Sequence, residues 1–511
     1  MPLENDLPAN YFSQEEMSKR VCAQDPEILN VVRFIAEQIA ALPEDPSLGG
    51  IKPRALLVGG FVRDSIAGSS PKDADMQAYG IKPDDLEIFL ETLFPEKVSY
   101  VGQSFGVFKI DITDSFSIDL SIPRDKNSGV QSGSKEGAPT ISVKEAALGR
   151  DFTINNFAFD PLSNEVFDFC TGVEDVKNGT LKISNTKAFV HYPIQVLRGA
   201  QLSARLGLWP DKECFTVMQE MVLRDGFFDF HPARVYEEFR KLFLKAPKPS
   251  LGLEILKQSL VFETHLPELS RIYNEHWEET LQRVDRTAEL IRSGHISLSK
   301  LDAMILMFWA LLKDFASKED FTAKPSILND LGRKFTLKDS NCAGIVATIL
   351  NLDKVDRAID KLNEKPPPSP TGPKKPGMFR KPAPQVSSDS DIVKQMLSET
   401  FPARWNVLIS AFEVESNKKI AEVQESKRLH KIIIDNELYH GSKSPLITAE
   451  ELMNKYGLPR GSHLGIILNE IESRRSELLT KQNAFEHVEK SGILKEVKIV
   501  EAKNKGPFRL G

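Results

Sequence analysis

A chain of 511 residues with 41% hydrophobic and 27% charged content holds apolar material for several packed domains, which excludes a largely disordered protein. Its formal net charge of −6 excludes a uniformly basic nucleic-acid binder, although residues 363–511 carry more Lys and Arg than Asp and Glu and the remainder is acidic. The opening Met1-Pro2-Leu3-Glu4 lacks a basic and then apolar leader, no apolar run reaches the roughly eighteen residues of a membrane helix, and Cys22, Cys170, Cys214 and Cys342 lack the paired spacing of a zinc cage or disulfide framework. The expectation is a cytoplasmic protein with reduced cysteines and no membrane contact.

Along residues 1–50, Ile28, Val31, Val32, Phe34, Ile35 and Ile39 recur at helical spacing, and a helical extension is predicted there. Residues 51–185 are rich in strand patterns. The apolar run Leu56-Leu57-Val58 breaks into Gly59-Gly60, and a helix is predicted from Val62 onward. Such a glycine pair lets backbone N–H groups approach phosphate oxygens at the positive end of a helix dipole. Asp73-Ala74-Asp75 follows in a strand-like setting, where alternate residues face one way, so the two carboxylates can meet a hard cation while Ala74 turns into the sheet. In Phe116-Ser117-Ile118-Asp119-Leu120, an acid falls inside an alternating strand, and a buried carboxylate there needs a cation or a water-facing edge. Asp125 to Thr140 reads as a polar, glycine- and serine-rich loop. At Phe167 to Gly179 the chain makes either a plain turn or a hinge centred on Gly172.

From residue 186 the strand signals fade. Arg234 to Phe243 and Leu251 to Leu269 show helical spacing, and no fixed-period repeat occurs. Residues 363–390 hold eight prolines between Pro366 and Pro384 together with Lys365, Lys374, Lys375, Arg380 and Lys381, the composition of a stiff extended linker, passive spacer or basic tether.

Gly59-Gly60-Phe61-Val62-Arg63-Asp64 followed by Asp73-Ala74-Asp75 resembles the signature of the class II tRNA nucleotidyltransferases, the CCA-adding enzymes, and of bacterial poly(A) polymerases, a branch of the polymerase β superfamily. The resemblance implies a metal cluster of Asp73, Asp75 and Asp119 that carries two Mg²⁺ ions, with phosphates held by Gly59, Gly60 and Arg63. Leu148-Gly149-Arg150-Asp151-Phe152-Thr153-Ile154-Asn155-Asn156 resembles the family's Arg-Arg-Asp-Phe-Thr-Ile-Asn segment, implying that Arg150 donates to phosphate and Asp151 accepts from the ribose. Here Gly149 replaces the first arginine. The family's base-reading Glu-Asp-x-x-Arg aligns with His191-Tyr192-Pro193-Ile194-Gln195, so Tyr192 and Gln195 stand at the base-reading positions without the opposed charges, while Arg198 is kept. Gly457, Gly461 and Gly465 resemble a turn in the tail of the tRNA enzymes.

The expected fold is α+β, a small mixed-sheet nucleotidyltransferase head followed by an all-helical neck, body and tail. The expected divisions are an extension at 1–50, head 51–185, neck 186–250, body 251–362, linker 363–390 and RNA-binding tail 391–511. The resemblance implies a metal-dependent enzyme that adds nucleotides from ATP and CTP to an RNA 3′ end, with tRNA CCA addition or repair foremost. Alternatives are poly(A)-type adenylation, an RNA-binding pseudoenzyme, and a superfamily enzyme with a protein or small-molecule acceptor. Oligomeric state is left open by the sequence.

Overall fold

The computed structural model describes residues 13–71, 73–100, 107–113, 116–124, 137–224, 232–265, 276–314, 339–363, 388–400, 403–416, 420–435, 449–456 and 481–491, with single positions between. Most of the 363–390 linker, the centre of the 125–140 loop and nearly all of the 457–465 glycine turn lie outside the described residues. Two compact units emerge: residues 1–230 with 251–265, and residues 231–250 with 266–511. The division at 250 falls at the expected neck–body junction, while those at 230 and 265 lie within the expected neck and body. The mixed-sheet head and helical remainder give the α+β class as expected.

In the first unit, α1 (Gln14–Cys22) and α2 (Pro26–Ala40) precede β1 (Arg54–Val58), α3 (Gly60–Ile66), β2 (Ala74–Tyr79), α4 (Pro83–Leu93), β3 (Val98–Tyr100), β4 (Val107–Thr113) and β5 (Phe116–Ser121). Then come α5 (Val143–Leu148), β6 (Phe157–Asp160), β7 (Glu165–Asp168), α6 (Gly172–Lys177), β8 (Thr180–Leu181), α7 (Thr186–Phe189), α8 (Ile194–Leu206), β9 (Trp209–Pro210) and α9 (Lys212–Val222). Seven strands form one mixed sheet in the order β3-β4-β5-β2-β1-β6-β7, and β8 pairs with β9. All neighbours in the large sheet run antiparallel except β2 and β5, which are parallel.

Strand alternation divides this sheet into two chemically different faces. Ala55, Leu57, Ala74, Met76, Ala78, Ile118 and Leu120 share one core with Ile28, Leu29, Val32, Ile35 and Ile39 of α2 and with Phe61, Leu86 and Leu90. Leu56, Val58, Tyr79 and Ala158 line the other face, where Ala146 of α5 covers them. The 1–50 stretch, expected as an extension, therefore closes the head's own core over its described part. Helix α2 starts there because Asp25 accepts from the Glu27 amide and Pro26 sits in the first turn, where its missing N–H costs nothing.

The second unit is helical throughout its described secondary structure. Helix Lys300–Leu312 is buried from Asp302 to Leu312, with Phe308 edge-on to Phe243 at 5.6 Å. Its buried Asp302 accepts from Asn406 at 2.8 Å, Ser299 at 2.7 Å and Arg404. Ile447, Leu452, Leu464, Ile467, Ala484 and Val488 form a separate small core. No helix among the described residues is long and apolar enough to cross a membrane.

Candidate active site

Asp75 and Asp119 are register partners on the parallel strands β2 and β5. Each lies between residues buried in the α2-side core, so both project from the opposite face of the sheet. Lys109 on β4 is the register partner of Asp119 from the far side. The Asp119 Oδ1 atom is buried and has no hydrogen-bond partner. Such an orphan acceptor is costly unless a cation or donor completes it.

Asp75 is exposed on its strand, while protein packed near its carboxyl still restricts its hydration. Desolvation, reinforced by the Asp119 charge, pushes it up to about 6, against the pull of Arg150 and Arg198. Burial likewise raises Asp119, opposed by Lys109 and reinforced by Asp73. Two mutually repelling acids with an unpaired buried oxygen fit a divalent cation. The third expected ligand lies outside the ladder: β2 begins at Ala74, and Asp73 before it is exposed. Among the described residues, no three His, Cys, Asp or Glu side chains stand close enough to hold a metal ion.

The glycine turn comes directly after β1. Gly59 adopts φ +68° and ψ −125°, a conformation open to glycine, and a Cβ there would lie 3.4 Å from Arg150 Nη1. Helix α3 starts at Gly60, two residues before the sequence expectation. The Gly59 amide, expected to face phosphate, donates to the Phe157 carbonyl at 3.0 Å.

The expected phosphate arginines are braced by protein. Arg63 is 4% exposed, donates from Nε to Asp64 at 2.7 Å and from Nη1 to Asn155 Oδ1. Arg150 donates to the carbonyls of Asn155 at 2.9 Å and Phe157 at 3.3 Å and to Gln77 Oε1 at 2.8 Å. Burial lowers the Arg150 pKa, while nearby Tyr79, Asp75 and Asp151 hold its charge.

Asp151, expected at the sugar, is 8% exposed and engages partners through both oxygens. Oδ1 accepts from the Phe152 amide at 2.9 Å and Asn155 Nδ2 at 2.8 Å, and Oδ2 from Arg198 Nε. Burial alone would raise this carboxyl, but Arg198 and the two hydrogen-bond donors bring it down to about 2. Arg198 and Gln195 lie three apart on α8, one face of one helix. Gln195 is 8% exposed and its Oε1 is buried without a hydrogen-bond partner. Tyr192 precedes the helix and acts electrostatically on Arg124, whose pKa burial lowers.

Sequence reasoning missed Gln77, Arg124 and the side-chain role of Asn155. Gln77 had a signal, being two residues beyond Asp75 on the same strand face. Arg124 had a weaker one, three residues past the Asp119 strand. The Gly172 reading changes as well: a Cβ there would stand 2.6 Å from the Thr153 carbonyl oxygen. Close packing requires this glycine. The backbone turns instead at Thr171, with φ 57°.

With this geometry in place, comparisons with known proteins bear on the chemistry. Residues 55–182 match the family described as the poly A polymerase head domain. That stretch carries the glycine turn, Asp73, Asp75, Asp119, Arg150 and Asp151. The multifunctional CCA protein of Xanthomonas campestris pv. campestris (strain B100) is 32% identical over 230 residues, 42% of this chain and 52% of that protein. Poly(A) polymerase I of Haemophilus influenzae is 28% identical over 247 residues, 46% of this chain and 52% of that one. The chain thus spans about half the length of the curated relatives it matches. A CCA-adding enzyme solved with ATP superposes with a TM-score of 0.56 at 18% identity, covering 95% of this chain and 98% of that one. The Thermotoga maritima CCA-adding enzyme complexed with tRNA gives 0.53 at 17% identity, with coverages of 95% and 98%. The likenesses to solved structures show a shared fold, a mixed-sheet head followed by helices.

Proposed function

We propose that the chain is an RNA nucleotidyltransferase that moves a nucleoside monophosphate from a nucleoside triphosphate to an RNA 3′ hydroxyl and releases pyrophosphate. Its acceptor in this reading is tRNA, whose CCA end it adds or repairs from CTP and ATP in the cytoplasm. The observation that carries the proposal is the Asp75–Asp119 pair with its unpartnered buried oxygen, within residues that match the poly A polymerase head domain.

Asp75 and Asp119 would hold Mg²⁺, with Asp73 closing from the end of β2. When bound, Mg²⁺ supplies the positive charge that lowers the 3′ hydroxyl pKa and stabilises the leaving pyrophosphate, as in two-metal phosphoryl transfer. Around that centre, Gly59 keeps the turn free of side chains so a triphosphate can approach, and Arg63 and Arg150 brace the turn from beneath. Gln195 offers an acceptor suited to the exocyclic amine of cytosine or adenine. A neutral amide discriminates by about 1 kcal/mol, so base selection is expected to be weaker than with an Asp and Arg pair.

Poly(A)-type adenylation is the second reading, favoured by the similarity to poly(A) polymerase I and by the neutral Tyr192 and Gln195. Sequencing the 3′ ends made on tRNA lacking CCA and on an unrelated RNA separates the two. CCA ends confined to tRNA support the first reading; adenosine runs on both RNAs support the second. Retention of RNA without any transfer would point to a pseudoenzyme.

A further inference from the structure

Asn155 is 5% exposed and lies on the one-turn 3₁₀ helix Thr153–Asn155, between the glycine-turn helix and the start of the neck. Its side-chain oxygen accepts from Arg63 of α3, and its side-chain nitrogen donates to Asp151 Oδ1 at 2.8 Å. Arg198 of α8 closes on the other Asp151 oxygen. The result is a continuous hydrogen-bonded chain, Arg63, Asn155, Asp151, Arg198, buried through its first three members and half-buried at Arg198, running from the helix of the glycine turn to the neck helix. The Asn155 carbonyl also accepts from Arg150 at 2.9 Å, so one residue contacts both braced arginines and the sugar-side acid.

A side-chain amide suits these partners because it accepts on one side and donates on the other. A guanidinium offers donors alone and an ionised carboxylate acceptors alone, so the group between them must accept on one side and donate on the other. Aspartate would present a carboxylate to a carboxylate; serine is too short to span both. Burial makes the requirement strict, because any partner left unsatisfied carries its desolvation penalty.

We propose that Asn155 is a positioning residue that fixes the Asp151 carboxylate in register with the Arg63 turn, so that recognition of the ribose depends on an amide that does not itself touch the sugar. This rests on the proposed reading of Asp151 as the ribose acceptor. Asn155 acts by setting which Asp151 lone pair remains available for the 2′ hydroxyl.

The test uses the full chain with Asn155→Ser and Asn155→Asp, each checked for folding by its thermal transition. ATP and 2′-deoxyATP are compared as donors to an RNA 3′ end for kcat and KM, and both nucleotides are titrated directly without RNA. The expected result for either folded variant is a KM for ATP raised about tenfold, the scale of one hydrogen bond to a charged group, with kcat little changed and the 2′-deoxyATP values within about twofold of wild type. Preference for the ribonucleotide then falls about tenfold. Equal losses with both nucleotides, or no loss, overturn the proposal, since a general defect in folding does not distinguish sugars. If wild type transfers nothing to RNA, the proposed function fails, while the titration still decides on Asn155. A wild-type preference for ATP that the variants lose supports the positioning role; an unchanged preference, or none in wild type, overturns it.

Discussion

The Asp75 carboxyl is pushed up to about 6, well above the usual 3.8, because neighbouring protein desolvates it and Asp119 repels its charge. With the folded value raised, the stability this group contributes is fully present below about pH 4 and is lost as pH rises through 6. Water reaches the side chain, so screening softens the effect. In metal-free buffer at pH 8, Asp75→Asn should therefore raise the thermal midpoint, measured by calorimetry. Mg²⁺ should raise the midpoint of wild type but not of the variant. Asp151 has the opposite sign. Its folded value is depressed to about 2, so its contribution is present above about pH 4 and disappears as pH falls toward 2. Arg198→Met removes the main charge partner of a buried carboxylate and should cost about 2 kcal/mol at pH 7 by urea denaturation, the gap to wild type narrowing below pH 4. At this scale, the strand acids were legible because period-two alternation fixes which side chains share a face. The chain of Arg63, Asn155, Asp151 and Arg198 was not, because those pairings depend on how three separated segments meet.

Among elements, α2 shows the limit of periodicity most clearly. Its apolar spacing announced a helix with one buried face, but an amphipathic stripe does not say which core receives it. The structure inserts that stripe under β1, β2 and β5. Ile35→Ala should therefore destabilise the head by about 3 kcal/mol, as for any fully buried aliphatic residue. Denaturation followed by the Mg²⁺-responsive transition measures it; an unchanged head transition would return α2 to the status of an appendage. Gly172 makes the converse point. Sequence suggested freedom to rotate, whereas the Thr153 carbonyl leaves no room for a Cβ. Gly172→Ala should lower stability by about 2 kcal/mol through this overpacking. If it slows catalysis while leaving the denaturation midpoint unmoved, the hinge reading regains its force.

For the whole molecule, the α+β class and the strand-rich head were readable from patterns, while the compact units were not, since the chain crosses between them at residues 230, 250 and 265 inside a run of helical signal. Composition marks helices without revealing which of them pack together. The central claim nevertheless concerns one small place in the first unit: the face of the sheet where Asp75 and Asp119 meet is where nucleotide transfer occurs. The most direct measurement is incorporation of label from each of the four nucleoside triphosphates onto tRNA lacking its CCA end, in Mg²⁺, by wild type, Asp75→Asn and Asp119→Asn. The account predicts incorporation from CTP and ATP by wild type and a fall of at least about a hundredfold in each variant, the scale of losing one charge-stabilising group at a transition state, with the RNA still bound. Wild-type rates retained by either folded variant, or no incorporation by wild type from any triphosphate, would contradict it.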